Sequence, residues 1–151
     1  MTRWYFAYGS NMNPQRVMTR GLTFDSLCGG VLSGVRLTFD KQSSDHPRSG
    51  HANLTLDPNS HVEGVLYRLR SPEEIELMDR FERTPINYRR EIVDVRAADE
   101  IVPAWTYFAN PGVIRANLRP EREYLAHLLA GRAYLSDSYH AFLAATVCVD
   151  E

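Results

Sequence analysis

The chain has few cysteines, no long apolar run and no excess of basic charge, and each of these absences excludes a class of protein. Only two cysteines, Cys28 and Cys148, occur among 151 residues. Neither has the spacing of a disulfide framework or a metal-binding pair, so we expect two free thiols. No apolar stretch approaches the ~18 residues that cross a bilayer, and the first residues lack a signal-peptide pattern. We therefore expect a cytoplasmic protein that does not enter a membrane.

The charge balance and the missing motifs also restrict the partners of the protein. The formal net charge is −2 at pH 7, and the arginines are scattered between acidic residues. This distribution favours neither nucleic acid nor an anionic membrane surface as a partner. No glycine-rich phosphate motif is present, and the histidines have no ligand-like spacing. We therefore expect no nucleotide site and no metal site.

The composition and the order of predicted elements indicate the fold class. Hydrophobic residues make up 44% and charged residues 24% of the chain, without repeats or a linker, so we expect one domain over residues 1–151. Alternating or continuous apolar runs predict strands at 4–8, 31–39, 52–56, 62–69, 88–97 and 101–109. Strands and helices do not alternate regularly, which argues against a doubly wound parallel sheet. The pattern favours an α+β fold with a mixed, mostly antiparallel sheet, closed into a small β-barrel flanked by helices.

Capping residues and turn residues mark the boundaries between these elements. Asn13 before Pro14, and Ser136 or Asp137 near the C-terminus, are candidate N-caps. Ser71 and Glu74 have the spacing of a capping box for a helix that runs to about Glu82. A further helix is predicted at 120–130, and a turn at 57–60.

The helix after Ser71 contains one acidic residue in an unexpected place. At about 100° per residue its apolar side chains form one arc, and Glu82 falls inside that arc. The apolar members of the arc are Ile75, Leu77, Met78 and Phe81. A carboxylate at the edge of a core is costly unless it is paired or neutral, and burial raises its pKa. Such a group suits general acid–base catalysis near pH 7. The alternative is a structural ion pair between Glu82 and one of three nearby arginines: Arg83, Arg89 or Arg90.

The segment "YFAYGSNM" raises a second question, because a strand-like run ends at Gly9, Ser10 and Asn11. The glycine is consistent with an ordinary tight turn. Consecutive backbone N–H groups at a strand-to-helix junction also form anion and oxyanion sites. The pattern alone leaves both interpretations open.

Several segments together resemble the γ-glutamylcyclotransferase-like family, also called AIG2-like or BtrG-like. The resemblance begins with the YGSN signature and extends, in order, over nearly the whole chain. The segments that carry it are "YFAYGSNM", "VRLTFDKQS", "GHANLTLDPNSHVEGVLYRL", "LMDRFE", "YRREIVDV", "AWTYFA" and "EYLAHLLAG".

This resemblance implies a small β-barrel with helices outside and a specific reaction. The α-amine of a small γ-glutamyl substrate attacks its own γ-carbonyl, which gives 5-oxoproline and a free amine or amino acid, without a metal or organic cofactor. The family's catalytic glutamate corresponds to Glu82. Its substrate-binding residues correspond to Tyr8, Gly9, Ser10, Asn11, Met12 and Tyr124.

Two other functions remain compatible with these residues. The protein could act on a γ-glutamylamine, or remove a γ-glutamyl protecting group from a biosynthetic intermediate. It could also be a small-molecule binding module without turnover, although such a module would not need an acid–base residue at Glu82. The sequence does not distinguish among the leaving groups.

Overall fold

The computed structural model describes residues 1–151 and contains five strands in a closed barrel. The strands are β1 (Trp4–Ala7), β2 (Phe24–Gln42), β3 (Gly50–Leu69), β4 (Tyr88–Ala97) and β5 (Glu100–Ala109). Their order around the barrel is β1-β3-β2-β4-β5. All neighbouring pairs are antiparallel except β1 and β5, which are parallel and close the barrel. The predicted mostly antiparallel barrel is therefore confirmed.

Four α-helices flank the barrel. They are α1 (Pro14–Thr19), α2 (Ile75–Phe81), α3 (Arg122–Leu129) and α4 (Asp137–Ala144). Two predicted N-caps are confirmed, because the Asn13 side chain accepts a hydrogen bond from Gln15 N at 3.1 Å and Ser136 Oγ accepts one from Tyr139 N at 3.2 Å. Both cysteines are free, as expected. None of the helices has the length and apolar character needed to cross a membrane.

Strand β3 differs from the prediction, because the two strands expected at 52–56 and 62–69 are one continuous element. The predicted turn at 57–60 lies within this strand as a large bulge, in which the Asp57 carboxylate accepts hydrogen bonds from Asn59 N at 3.1 Å and Ser60 Oγ at 2.7 Å. Ser33 of β2 pairs with His61, and Val35 pairs with Leu56, so the four residues between have no partner in β2. Pairing with the long β2 on both sides of the bulge makes the two predicted strands one element.

The start of α2 also differs from the prediction. The Ser71 side chain makes no capping hydrogen bond, and Pro72–Glu74 form a 3-10 turn before the helix begins at Ile75. The Glu74 carboxylate instead accepts hydrogen bonds from the backbone N–H groups of Arg70 and Thr23, at 3.1 and 3.0 Å. Glu74 therefore joins α2 to the segment that precedes β2 rather than closing a capping box.

A single cluster of 29 buried hydrophobic residues forms the core. Strand β1 packs closely over β3 at Gly64. A Cβ atom at Gly64 would collide with the carbonyl oxygen of Ala7 and lie 2.8 Å from the ring of Phe6. This close approach fixes the end of β1, and therefore the start of the YGSN loop, against the barrel.

We predict that Gly64→Ala lowers the free energy of unfolding by about 1–3 kcal/mol, because the added methyl group must displace the backbone of β1. Urea unfolding of the variant and the parent measures this difference. Gly112→Ala is the matched control, since a Cβ atom there would meet nothing within 4 Å. An unfolding midpoint for Gly64→Ala equal to that of the control would contradict the proposed close packing.

Candidate active site

A cavity of about 250 Å³ lies beside the end of β1. It is lined by the loop after β1 and by residues from α1, β2, β3, the end of α2, and α3. Six of the seven residues that the sequence suggested line this one cavity: Tyr8, Gly9, Ser10, Asn11, Glu82 and Tyr124. The fold thus brings together the YGSN loop, the residue at the end of α2 and the tyrosine of α3, which are distant in sequence.

Met12 is the exception, because the structure places its side chain in the core and not in the cavity. It has no exposed surface, and its Cβ atom lies 3.0 Å from where a Cβ atom of Gly131 would be. Its N–H donates to the carbonyl of Gly9 at 3.0 Å. The expectation that Met12 contacts a substrate is therefore not supported by its position, since an apolar side chain here fills space between the loop and the end of α3.

Glu82 caps the C-terminus of α2, and its N–H donates to the carbonyl of Met78 at 3.0 Å. The helix turns its fully buried residues, Ile75 and Met78, toward the core, and Glu82 follows on the same side. One member of the predicted apolar arc lies elsewhere: Phe81 is 48% exposed and packs under the guanidinium of Arg20, 4.8 Å from its ring centre. Glu82 itself is partly exposed and lines the cavity.

No cationic group lies within 4.0 Å of the Glu82 carboxylate. Two of the arginines that the sequence suggested as partners are paired elsewhere. Arg89 lies 3.3 Å from Glu91, and Arg90 lies 3.2 Å from Asp79. The structural ion pair that was the alternative explanation for Glu82 is therefore absent.

Burial raises the pKa of the Glu82 carboxyl to about 7, because removal from water penalises its charged form. The positive charges of Arg20, Lys41 and Arg16 oppose this rise, and the negative charge of Asp79 adds to it. Desolvation is the largest of these effects. Glu82 can therefore both accept and release a proton near neutral pH, which is what a general acid–base group requires.

Asn11 holds the YGSN loop in place beside Glu82. Its side-chain nitrogen donates to the hydroxyl of Tyr5 at 2.9 Å and approaches Glu82 Oε1 at 3.5 Å. Its side-chain oxygen accepts from Arg20, and its backbone carbonyl accepts from the hydroxyl of Tyr67 at 2.6 Å. Asn11 is only 3% exposed, so its polar groups serve mainly to position the loop.

Gly9 allows the loop to pass close to β3 and α3. A Cβ atom at Gly9 would lie 3.1 Å from Ala52 Cβ and 3.3 Å from the hydroxyl oxygen of Tyr124. The Gly9 N–H makes no hydrogen bond within the protein. The Tyr124 hydroxyl accepts from Ala52 N at 2.9 Å, and burial raises the pKa of Tyr124 to about 12. Its proton is therefore retained at neutral pH and is available to a ligand.

The other two predicted loop residues are held by the protein itself. Ser10 Oγ accepts a hydrogen bond from Nε of Arg16 at 3.2 Å. The Tyr8 hydroxyl donates to the carbonyl of Tyr107 at 2.6 Å, which fixes its ring in the cavity wall. Neither side chain has the partners of an activated nucleophile.

Sequence reasoning missed the cationic side chains in the cavity wall. Arg16 of α1 and Arg20, the C-cap residue of this helix, are four residues apart and therefore share one face of the helix directly after the loop. Lys41 of β2 and His51 of β3 are opposite each other in the strand register. The four-residue spacing of the two arginines could have predicted a shared cationic face beside the loop. The position of Lys41 depends on long-range strand pairing and could not be predicted in this way.

Comparisons with known proteins give one family and several similar folds. The family model "Gamma-glutamyl cyclotransferase, AIG2-like" matches residues 5–128. No curated protein matches the chain. A solved structure of a γ-glutamyl cyclotransferase is 21% identical, with a TM-score of 0.86 and coverage of 100% of this chain and 91% of that one. An uncharacterised human protein is 22% identical, with a TM-score of 0.85 and coverage of 98% and 89%.

A more distant solved structure is a yeast γ-glutamyl cyclotransferase described as specific to glutathione. It is 15% identical, with a TM-score of 0.62 and coverage of 95% of this chain and 96% of that one. At these identities the solved structures establish similarity of fold alone.

We predict that Glu82→Gln gains stability relative to the parent as pH rises from about 4 to above 7. The pKa of Glu82 is about 7 in the folded protein and about 4.3 in the unfolded chain, so protonation of Glu82 stabilises the folded state. This stabilisation is fully present at pH values below the unfolded pKa. That contribution is lost as pH rises through the folded pKa. Glutamine does not ionise and avoids the loss, which amounts to about 4 kcal/mol at most.

Urea unfolding of both proteins at pH 4.5 and pH 7.5 measures this effect. Glu76→Gln, which removes an exposed carboxylate from the same helix, serves as the control and should show little pH-dependent difference from the parent. A Glu82→Gln variant that is less stable than the parent at pH 7.5, with a deficit that shrinks toward pH 4.5, would instead indicate a carboxylate stabilised by a cation.

Proposed function

Because the chain belongs to the AIG2-like γ-glutamyl cyclotransferase family, we propose that it is an enzyme that releases 5-oxoproline from a small γ-glutamyl substrate. The observation that carries this proposal is the Glu82 carboxyl, which lines the cavity without a cationic partner and whose pKa burial raises to about 7. A protein that only binds a ligand gains nothing from such a group, because an unpaired carboxylate at the edge of the core lowers its stability.

The proposed reaction requires proton transfer between two nitrogen atoms of the substrate. The α-ammonium group must lose a proton before its lone pair can attack the γ-carbonyl carbon. The new C–N bond closes a five-membered ring, and the bond to the leaving nitrogen then breaks. In total, two protons pass from the α-nitrogen to the leaving nitrogen, which departs as an ammonium group. Glu82 is suited to carry each of them, because it accepts and releases a proton near pH 7.

The carbonyl oxygen becomes negative during the attack and needs hydrogen-bond donors. We assign this role to the N–H of Gly9 and to the first N–H groups of the 3-10 helix Ser10–Met12, since the first N–H groups of a helix lack intrahelical acceptors. The Tyr124 hydroxyl proton is a further donor on the same side of the cavity. Donors held in place before the reaction stabilise the transition state without reorganising.

Ring closure is intramolecular, so the cavity contributes mainly by holding the γ-glutamyl group in a folded conformation. Positioning of this kind supplies much of the rate in intramolecular reactions. The proposed reaction therefore needs one acid–base group, Glu82, and a set of neutral hydrogen-bond donors. The leaving group is either an amino acid or another amine, and both give the same cyclic product.

We predict that Glu82→Gln lowers kcat for 5-oxoproline release by at least about 100-fold, because the variant has no group to transfer the protons. Mass spectrometry of 5-oxoproline formed from a panel of γ-glutamyl dipeptides and γ-glutamylamines measures the rates. Glu76→Gln is the matched control, and circular dichroism verifies that both variants are folded. Activity of Glu82→Gln within about threefold of the parent would refute the role of Glu82. A parent that binds γ-glutamyl compounds without releasing 5-oxoproline would indicate a binding module.

We predict that Gly9→Val weakens binding of 5-oxoproline by at least about tenfold. The added side chain has to press against Ala52 and Tyr124 or enter the cavity. Isothermal titration calorimetry measures the affinity, with Gly112→Val as a control at an open position. Equal affinity of Gly9→Val and the parent would mean that the ligand binds elsewhere.

A further inference from the structure

The only lysine of the chain is buried in the wall of the candidate active site. The protein has 17 basic residues apart from histidine, and Lys41 is the single one that is not an arginine. Lys41 is on β2, is only 5% exposed and lines the cavity, with its Nζ atom 5.9 Å from the centre of the Tyr88 ring. Lysines are almost never buried to this extent without a partner.

Lys41 has no anionic partner within the protein. Its ammonium group makes no ion pair within 4.0 Å. Nζ is also not one of the fully buried polar atoms that lack a hydrogen-bond partner, so it reaches the open cavity. Two acidic residues face the same cavity, Glu82 and Asp45, and both influence Lys41 only at longer range. A buried cation without a partner is unfavourable. The arrangement becomes favourable when a bound ligand supplies the missing anion.

The position of Lys41 separates it from the cations that adjoin the YGSN loop. Arg16 is on α1 and Arg20 caps its C-terminus, and they donate hydrogen bonds to the side chains of Ser10 and Asn11. They therefore adjoin the loop whose N–H groups we assign to the γ-carbonyl oxygen of the substrate. Lys41 lies on the barrel wall instead. Its side chain makes no hydrogen bond to this loop.

The charges that line the cavity also exceed what a γ-glutamyl group can neutralise. Four cationic side chains, Arg16, Arg20, Lys41 and Arg83, face two acidic ones, Asp45 and Glu82. The γ-glutamyl end of a substrate brings one carboxylate and one ammonium group, so by itself it adds no net charge. An anionic leaving group would balance the remaining positive charge.

We propose that Lys41 is a specificity-determining residue that pairs with a carboxylate of the leaving group. The substrates of this enzyme are then γ-glutamyl amino acids or peptides with a free carboxylate, in preference to γ-glutamyl derivatives of uncharged or cationic amines. This inference rests on the proposed function, because it assigns a role on the leaving-group side of the same cavity.

The test compares two substrates that differ only in this charge, γ-glutamyl-L-alanine and γ-glutamyl-L-alaninamide. We expect the parent to have a kcat/KM at least tenfold higher for the carboxylate. Lys41→Met should reduce this ratio by about 10- to 100-fold, which is the usual effect of losing a hydrogen bond to a charged group. Lys41→Arg should retain most of the preference. Arg36→Met is the matched control, since Arg36 is an exposed cation on the same strand that does not line the cavity.

Two further measurements distinguish a failure of the proposed role of Lys41 from a failure of the proposed reaction. Urea unfolding should give Lys41→Met a stability equal to or above that of the parent, because the substitution removes an unpaired buried charge. Calorimetry on Glu82→Gln and on Glu82→Gln with Lys41→Met measures binding of the same two compounds without turnover. The charge preference is thus measured independently of the proposed reaction.

Each outcome supports or overturns one of the two proposals. A selective loss of the carboxylate substrate in Lys41→Met supports the role of Lys41. An equal loss of kcat/KM for both substrates would assign Lys41 to the α-carboxylate that they share. A parent without preference for the carboxylate substrate would remove the basis for pairing between Lys41 and the leaving group. Either result would overturn this inference and leave the proposed reaction standing. A parent that releases no 5-oxoproline, yet binds the carboxylate compound in a Lys41-dependent way, would overturn the proposed reaction and leave the role of Lys41 standing.

Discussion

The hydrogen bonds of Asn11 fix the loop after β1 against the barrel and the neighbouring helices. One residue connects the barrel wall, through the hydroxyls of Tyr5 and Tyr67, to α1, through Arg20. The same side-chain nitrogen lies 3.5 Å from Glu82 at the end of α2. Because these partners come from different parts of the chain, the loop after β1 has a single position relative to the barrel and both helices. The backbone N–H groups of the loop are therefore held rigidly beside the acidic residue.

Two groups of opposite charge face this cavity without partners, although the fold pairs charges nearby. Arg90 and Asp79 form an ion pair at 3.2 Å next to the same helix. Glu82 and Lys41 have no such neighbours, and burial shifts the pKa of each toward its neutral form, upward for Glu82 and downward for Lys41. A core of 29 residues stabilises a domain that tolerates both groups. The unpaired charges are therefore concentrated where a ligand can reach them.

Local patterns predicted the local features of this structure. The cap at Asn13 depends on neighbouring residues, and the paired strands β4 and β5 depend on alternation and a short turn. The buried side of α2 followed from helical periodicity, which is why Glu82 could be singled out. The bulge at 57–60, the contacts of Glu74 and the burial of Lys41 could not be predicted in this way. Each is decided by segments that are distant in sequence and meet only in the folded barrel.

The parallel contact between β1 and β5 also has a consequence for the order of folding. Tyr5 pairs with Trp105, and the hydroxyl of Thr106 donates to the carbonyl of Phe6 across 100 residues of sequence. Contacts of such large sequence separation form late, because the loop entropy must be overcome first. During synthesis the first strand has to wait for the last one before the barrel can close. The YGSN loop, which directly follows β1, is thus assembled only once nearly all of the barrel has been made.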